Sequence, residues 1–138
     1  MSAVFAETFR DDRAAHRAGR PIEWLFSVLS DREGHRRLLE ENLLRLARAI
    51  AADFPAGTRV SRPAGGFALW VEMPRGFDSR VLFDQALEQG ICFAPGDVFS
   101  ASRRFRNCLR LSAGSTWSER IEDGVRRLGL LARALLSA

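Results

Sequence analysis

The chain has 138 residues, of which 46% are hydrophobic and 28% charged, and this ordinary globular composition does not favour a disordered protein. No apolar run approaches the roughly 20 residues of a membrane-spanning helix, and the first residues lack the basic-then-apolar layout of a signal peptide, so we expect a soluble, cytoplasmic protein without a membrane partner. The 21 basic residues, all arginine, are interspersed with 17 acidic ones, which does not indicate a face for direct nucleic acid binding.

The sequence from residue 30 onward predicts a long helix. Residues 1–29 are a polar segment and an apolar stretch, to which we assign no structure. Ser30-Asp31-Arg32-Glu33 matches a capping box, a common helix start. Apolar residues then recur at the spacing of one helical face, namely at Leu39, Leu43, Leu46 and Ile50. The helix should end before Phe54-Pro55.

Two strands are predicted next. Residues 58–61 are a short strand candidate, and Pro63-Ala64-Gly65-Gly66 breaks the chain after them. Residues 67–73 alternate as a strand does. One face of this strand is expected to be apolar and to carry Phe67, Leu69, Val71 and Met73.

The second half predicts a helix, two strands and a final helix. Asp78 is a good cap for a helix through Gln89, whose inward residues should be Leu82, Phe83, Ala86 and Leu87. Residues 91–94 and 107–112 are the strands, and Phe99 is expected to pack beneath the turn between them. Thr116-Trp117-Ser118-Glu119 matches a second capping box. The stripe behind it consists of Ile121, Val125, Leu128, Ala132 and Leu135.

This order of elements predicts an α+β fold, with a small sheet of about four strands and helices packed on one face. We expect residues 30–138 to form this domain, preceded by a segment of uncertain structure over residues 1–29. The second face of so small a sheet needs a cover that the chain does not obviously supply.

The cysteines and histidines do not indicate a disulfide or a metal site. Cys92 and Cys108 are far apart, and each lies in an apolar run, which is typical of a buried free thiol. His16 and His35 have no partners at the spacing of metal ligands.

Several stretches resemble, in order and spacing, the C-terminal small domain of fold-type I pyridoxal-phosphate (PLP) dependent aminotransferases. Residues 63–72 resemble the PxGGxxxWxE stretch that opens that domain, and residues 93–96 with Phe99 resemble its PGxxF turn. Residues 105–112 resemble the strand that holds the substrate-carboxylate arginine. The run of residues 99–112 is most similar to the MocR subgroup of GntR-type transcriptional regulators, which join a winged-helix DNA-binding domain to an aminotransferase-like domain.

The resemblance implies a ligand site but no catalytic residue. Arg110 would bind the α-carboxylate of an amino-acid ligand in the intact protein, because a planar guanidinium can donate two parallel hydrogen bonds to a carboxylate. The structural alternative is an ordinary arginine on a solvated sheet face. Asn107, Gly65 and Gly66 are further candidates for ligand binding, and the alternative for each of them is a turn residue.

The cofactor of the resembled family is PLP, which a lysine amine holds as a Schiff base. This chain contains no lysine, so we expect PLP in the intact family but not on this chain alone. The expected partner is a PLP-binding large domain or a homodimer partner. Four functions stay open: part of a MocR-type regulator, the small domain of a class I/II aminotransferase, a non-catalytic interaction or dimerisation module left by truncation, and a free-standing amino-acid sensor.

Overall fold

The computed structural model describes residues 32–61 and 67–138. The elements follow the predicted order, and the predicted α+β fold is confirmed. In chain order they are α1 (Arg32–Asp53), β1 (Arg59–Val60), β2 (Ala68–Glu72), α2 (Ser79–Glu88), β3 (Ala94–Pro95), a 3₁₀ turn (Gly96–Phe99), β4 (Cys108–Ser112) and α3 (Glu119–Ser137).

The four described strands form one antiparallel sheet in the order β1-β2-β4-β3. The longest ladder joins β2 to β4, where Trp70 lies opposite Arg110. On its other side, Arg110 lies opposite Ala94 of β3. Arg110 is therefore flanked by strands on both sides and lies well inside the sheet.

The core lies between the sheet and the three helices. The predicted alternation is confirmed for most of β2 and β4, whose inward leucine and valine side chains are buried. The predicted stripe of α1 meets them, with Leu46 and Ile50 fully buried. Each such side chain contributes about 1.5–3 kcal/mol by leaving water. The sheet and α3 contribute Leu69, Val71, Leu109, Leu111, Val125, Leu128 and Ala132 to this core.

A buried hydrogen-bonding side chain and a close approach at a glycine attach α1 to the rest of the domain. Asn42 is 1% exposed, and its Nδ2 donates to the carbonyl oxygens of Ala113, at 3.1 Å, and Ser115, at 2.8 Å. At the other end of α1, α3 passes so close that a Cβ on Gly129 would lie 2.6 Å from the Asp53 carbonyl oxygen. Both contacts fix where α1 lies over the sheet.

Two side chains that were predicted to face the core are instead exposed. Phe67 is half exposed because it precedes β2, and its ring turns to the other face of the sheet beside Arg110. Leu87 is also half exposed, since it lies on the outer side of the last turn of α2. The prediction was wrong for both residues.

Two predicted boundaries also differ. The strand expected over residues 91–94 pairs only at Ala94–Pro95, because the Ile91 amide donates to the Ala86 carbonyl at the end of α2 rather than to a strand. The final helix is capped by Ser118, whose hydroxyl accepts from the Ile121 amide, so the box predicted to start at Thr116 was two residues early. None of the described helices is long and apolar enough to cross a bilayer.

Candidate functional site

Arg110 lies on the sheet face opposite the helices. Its neighbours Leu109 and Leu111 point into the core and are fully buried, so strand alternation directs Arg110 outward. The described salt bridges join other pairs, and across residues 32–61 and 67–138 none involves Arg110. No carboxylate of the described residues therefore neutralises its guanidinium.

Four aromatic side chains lie together on this face of the sheet, two of them beside Arg110, and we call them the aromatic face: Phe67, Trp70, Phe99 and Phe105. The Arg110 Cζ atom lies 5.7 Å from the ring centroids of both Phe67 and Phe99. Trp70 meets Phe99 and Phe105 edge to face, at centroid distances of 5.7 and 5.6 Å. The three phenylalanines are 45–48% exposed, so Phe99 does not pack beneath its turn as predicted.

The loop after β3 presents Phe99 and Phe105 in a tightly folded conformation. A Cβ on Gly96 would lie 2.7 Å from the Cys108 carbonyl oxygen and closer still to that of Phe105. Arg103 and Phe105 adopt φ angles of 52° and 62°, a left-handed conformation that is costly for residues other than glycine. Such a conformation persists only where the surrounding contacts hold it in place.

Two ion pairs connect this loop to the start of α2. Arg80 Nε lies 3.0 Å from both carboxylate oxygens of Asp97, whose side chain is 7% exposed. Arg106 donates to Asp78 at 2.6 Å, and the Ser79 amide donates to the Arg106 carbonyl at 2.8 Å. These contacts hold both ends of the loop against one helix terminus.

Asp78 is the predicted cap of α2, and the structure confirms it: its Oδ1 accepts from the Arg80 amide at 2.9 Å. Burial opposes ionisation of this carboxyl, but the hydrogen bonds from Arg106 and the Arg80 amide, with the charge on Arg106, lower the pKa of Asp78. The ionised carboxylate therefore stabilises the folded chain.

Replacing Asp78 with alanine is expected to reduce the free energy of unfolding by about 1 kcal/mol at pH 7, since the cap and its ion pair are lost. Because the folded pKa lies below the unfolded value of about 3.9, this contribution is present above that pH and disappears as pH falls through the folded pKa. Urea unfolding between pH 2 and 7 would measure it. The exposed Asp84→Ala variant should change little, and an equal loss in both variants would contradict the capping role.

The structure does not place Asn107 beside Arg110. The Asn107 Nδ2 donates to the Met73 carbonyl at 2.8 Å, and the Met73 amide donates to the Asn107 carbonyl at 2.8 Å. Asn107 thus ties the end of β2 to the start of β4, three residues before Arg110. Gly65 and Gly66 lie outside the described residues, and ligand binding by these three residues remains a prediction.

Sequence reasoning missed most of the surroundings of Arg110. The Arg80–Asp97 pair joins residues 17 positions apart, and no local pattern indicates it. The proximity of Phe67 and Phe99 to Arg110 depends on how the flanking segments turn. Among the four aromatic residues, only Trp70 could be assigned to this face of the sheet from the sequence, because it alternates in β2 with the buried Leu69 and Val71.

Sequence and structure comparisons relate the chain to PLP proteins, although no protein-family profile matches it. It is 38% identical over 102 residues to a 2-aminoadipate transaminase of Thermus thermophilus, covering 74% of this chain and 26% of that protein. The crystal structure of the α-aminoadipate aminotransferase LysN from the same species superimposes with a TM-score of 0.72, at 38% identity, over 83% of this chain and 30% of that one. The chain is an aminotransferase-like small domain.

A regulator is also among the relatives of this small domain. The chain is 34% identical to the uncharacterised HTH-type transcriptional regulator YjiR of Escherichia coli over 94 residues, which cover 68% of this chain and 20% of YjiR. The resemblance to aminotransferases and MocR-type regulators is therefore confirmed. The small domain spans about a quarter of the length of these curated relatives.

Proposed function

We propose that this small domain binds the α-carboxylate of an amino acid through Arg110 in the intact protein, as part of a MocR-type regulator or an aminotransferase. The observation that carries the proposal is the position of Arg110 beside the rings of Phe67 and Phe99, without a carboxylate partner in the described parts of the chain. An arginine on an ordinary solvated surface would more often pair with a neighbouring acidic residue or extend into water.

The surroundings of Arg110 suit a carboxylate clamp. Arg110 is half-buried, with the rings of Phe67 and Phe99 beside its guanidinium, and a charge that is partly removed from water has stronger electrostatic interactions. A guanidinium presents two parallel N–H groups that match the two oxygens of a carboxylate. Each charge-assisted hydrogen bond of this kind contributes about 1.5–3 kcal/mol.

The small domain does not fit PLP by itself. PLP is held as a Schiff base on a lysine, and this chain has no lysine. We assign no step of the cofactor's chemistry to these residues and propose that a PLP-binding large domain or a homodimer partner supplies it. Residues 30–138 would then act as a closing unit that orients the ligand and excludes water. In a regulator, the same closure would report that the ligand is bound.

Arg110→Ala is expected to abolish carboxylate binding, which can be measured on the 138-residue chain by NMR. The indole N–H of Trp70 is a suitable reporter because Trp70 lies opposite Arg110. We expect alanine to shift this signal saturably, with a Kd of about 10 mM, as one or two charge-assisted hydrogen bonds would give. Ethylamine, which lacks the carboxylate, should not shift it. Arg110→Lys should bind at least about threefold more weakly, since lysine cannot form the paired hydrogen bonds.

Arg104 provides the matched control. It is exposed, and it also lies 5.7 Å from an aromatic ring, that of Phe105. Arg104→Ala should leave the alanine titration unchanged. Equal binding of alanine by the wild-type chain and Arg110→Ala would refute the proposed role.

A further inference from the structure

We infer that the ligand of Arg110 is an α-amino acid with an aromatic or other large apolar side chain. The inference rests on the proposed function, because it takes the carboxylate of the ligand to lie on Arg110. It adds that the aromatic face receives the rest of the ligand and selects it. The argument has three steps, which concern the exposure, the position and the rigidity of the rings.

The first step is the exposure of the phenylalanines. Phe67, Phe99 and Phe105 each leave nearly half of their surface in water, although burying a phenylalanine side chain stabilises a protein by about 1.5–3 kcal/mol. They lie together on one side of the sheet and contact Trp70 or Arg110. Clustered apolar exposure of this kind marks a contact surface, and the part of it beside Arg110 is the part that a ligand held by this guanidinium would meet.

The second step is the position of these rings around the cation. A ligand carboxylate on the Arg110 guanidinium places its own Cα a few ångströms away. The rings of Phe67 and Phe99 are each centred 5.7 Å from Cζ, which is within reach of a side chain on that Cα. Apolar rings beside one charged group are the combination of contacts that small-molecule sites use, and here they form an open surface that fits an amphipathic amino acid.

The third step is that the rings are held in place before any ligand arrives. Gly96 lets the loop fold against its own end at Phe105 and Cys108, and the Arg80–Asp97 pair attaches it to α2. Preformed sites lose less entropy on binding than mobile ones. The left-handed backbone of Phe105 is the kind of strain that functional sites retain.

The charges beside the aromatic face do not themselves select the ligand. Glu72 lies on the same face of β2 as Trp70, two residues along, and Arg59 lies directly opposite Glu72 in β1, so these two charges offset each other. Arg104, above Phe105, is a further cation that a second carboxylate could contact. The selectivity that we infer therefore comes from the apolar contacts of the rings, and an acidic ligand tests it.

The test compares phenylalanine, alanine and 2-aminoadipate on the 138-residue chain, again through the Trp70 indole signal. Edge-to-face and stacked ring contacts add about 0.5–1.5 kcal/mol each, so we expect phenylalanine to bind about tenfold more tightly than alanine. Phe99→Ala should reduce this ratio to about threefold or less, and the ratio is the readout because Phe99 also lies beside Arg110 and its loss is expected to weaken alanine binding too. Val98→Ala, at an exposed position in the same 3₁₀ turn, should keep the full ratio. Phe99→Leu should give an intermediate ratio and guards against a folding defect.

The outcomes separate this inference from the proposed function. If alanine binding does not depend on Arg110, the proposed function fails. If it does depend on Arg110 but phenylalanine and alanine bind equally, only the present inference is overturned. Tighter binding of 2-aminoadipate that Arg104→Ala removes would also overturn it. So would concentration-dependent self-association that Phe99→Ala weakens without any ligand selectivity, because the aromatic face would then be a contact between copies of the chain.

Discussion

Replacing Gly96 with alanine is expected to lower the free energy of unfolding by about 3 kcal/mol, a cost typical of overpacking a tight site. The added Cβ would lie 2.7 Å from the Cys108 carbonyl oxygen and 2.8 Å from the Cys108 Cβ, and neither atom belongs to a flexible side-chain end. The loop would have to move away from the start of β4, taking Phe99 and Phe105 with it. Urea unfolding measures the stability change, and the Trp70 indole chemical shift reports the movement of the rings.

Gly114→Ala is the matched control for Gly96→Ala. At Gly114 the nearest atoms to an added Cβ are 3.6–3.7 Å away, which is ordinary van der Waals contact. We expect its stability to change by less than about 0.5 kcal/mol. If both alanine variants were equally stable, the close approach at Gly96 would not be a constraint on the fold.

The second large effect is expected at Asn42, where alanine should cost about 3 kcal/mol. The side chain is buried within α1 and donates to two carbonyl oxygens beyond the end of β4. Loss of a donor to a buried acceptor costs about 1–3 kcal/mol, and the vacated volume adds to this. Alanine has the better helix propensity, so a loss of stability in this variant reports the tertiary contact and not the helix itself.

Glu41→Ala is the control that separates the tertiary contact of Asn42 from the effect of alanine on helix propensity. Glu41 precedes Asn42 in the same helix and is exposed, so its replacement should leave the urea midpoint almost unchanged or slightly raised. The Asn42→Ala midpoint should fall well below it. Coincident unfolding curves for the two variants would show that Asn42 does not anchor α1 to β4.

Much of the fold could be predicted from sequence because its signals are local. The leucine spacing of α1 and the alternation around Leu109 and Leu111 follow from the geometry of one helix face and one strand. Asp78 followed by an amphipathic run is enough to place the start of α2. The same alternation directs Arg110 away from the core, which is why the most important candidate residue could be placed on the correct face.

The features that could not be predicted from the sequence depend on contacts between segments that are distant in the chain. Asn42 lies on the helix face beside the apolar stripe, and only the closeness of Ala113 and Ser115 explains why a polar side chain is buried there. The expected strand at residues 91–94 fails because one amide finds a partner in α2. The aromatic face combines residues from β2, the segment before it and the loop before β4, and no periodicity joins these.

The two outer strands have a consequence for how this domain can meet other molecules. β1 pairs over two residues, and β3 also has two, one of which is Pro95. A proline has no amide hydrogen to offer a further strand, and very short edge strands give little backbone to pair with. Lateral extension of the sheet, the usual route to strand-swapped dimers and fibres, is therefore disfavoured. We therefore expect a partner to meet this domain on the sheet face that carries Arg110, which no described helix covers.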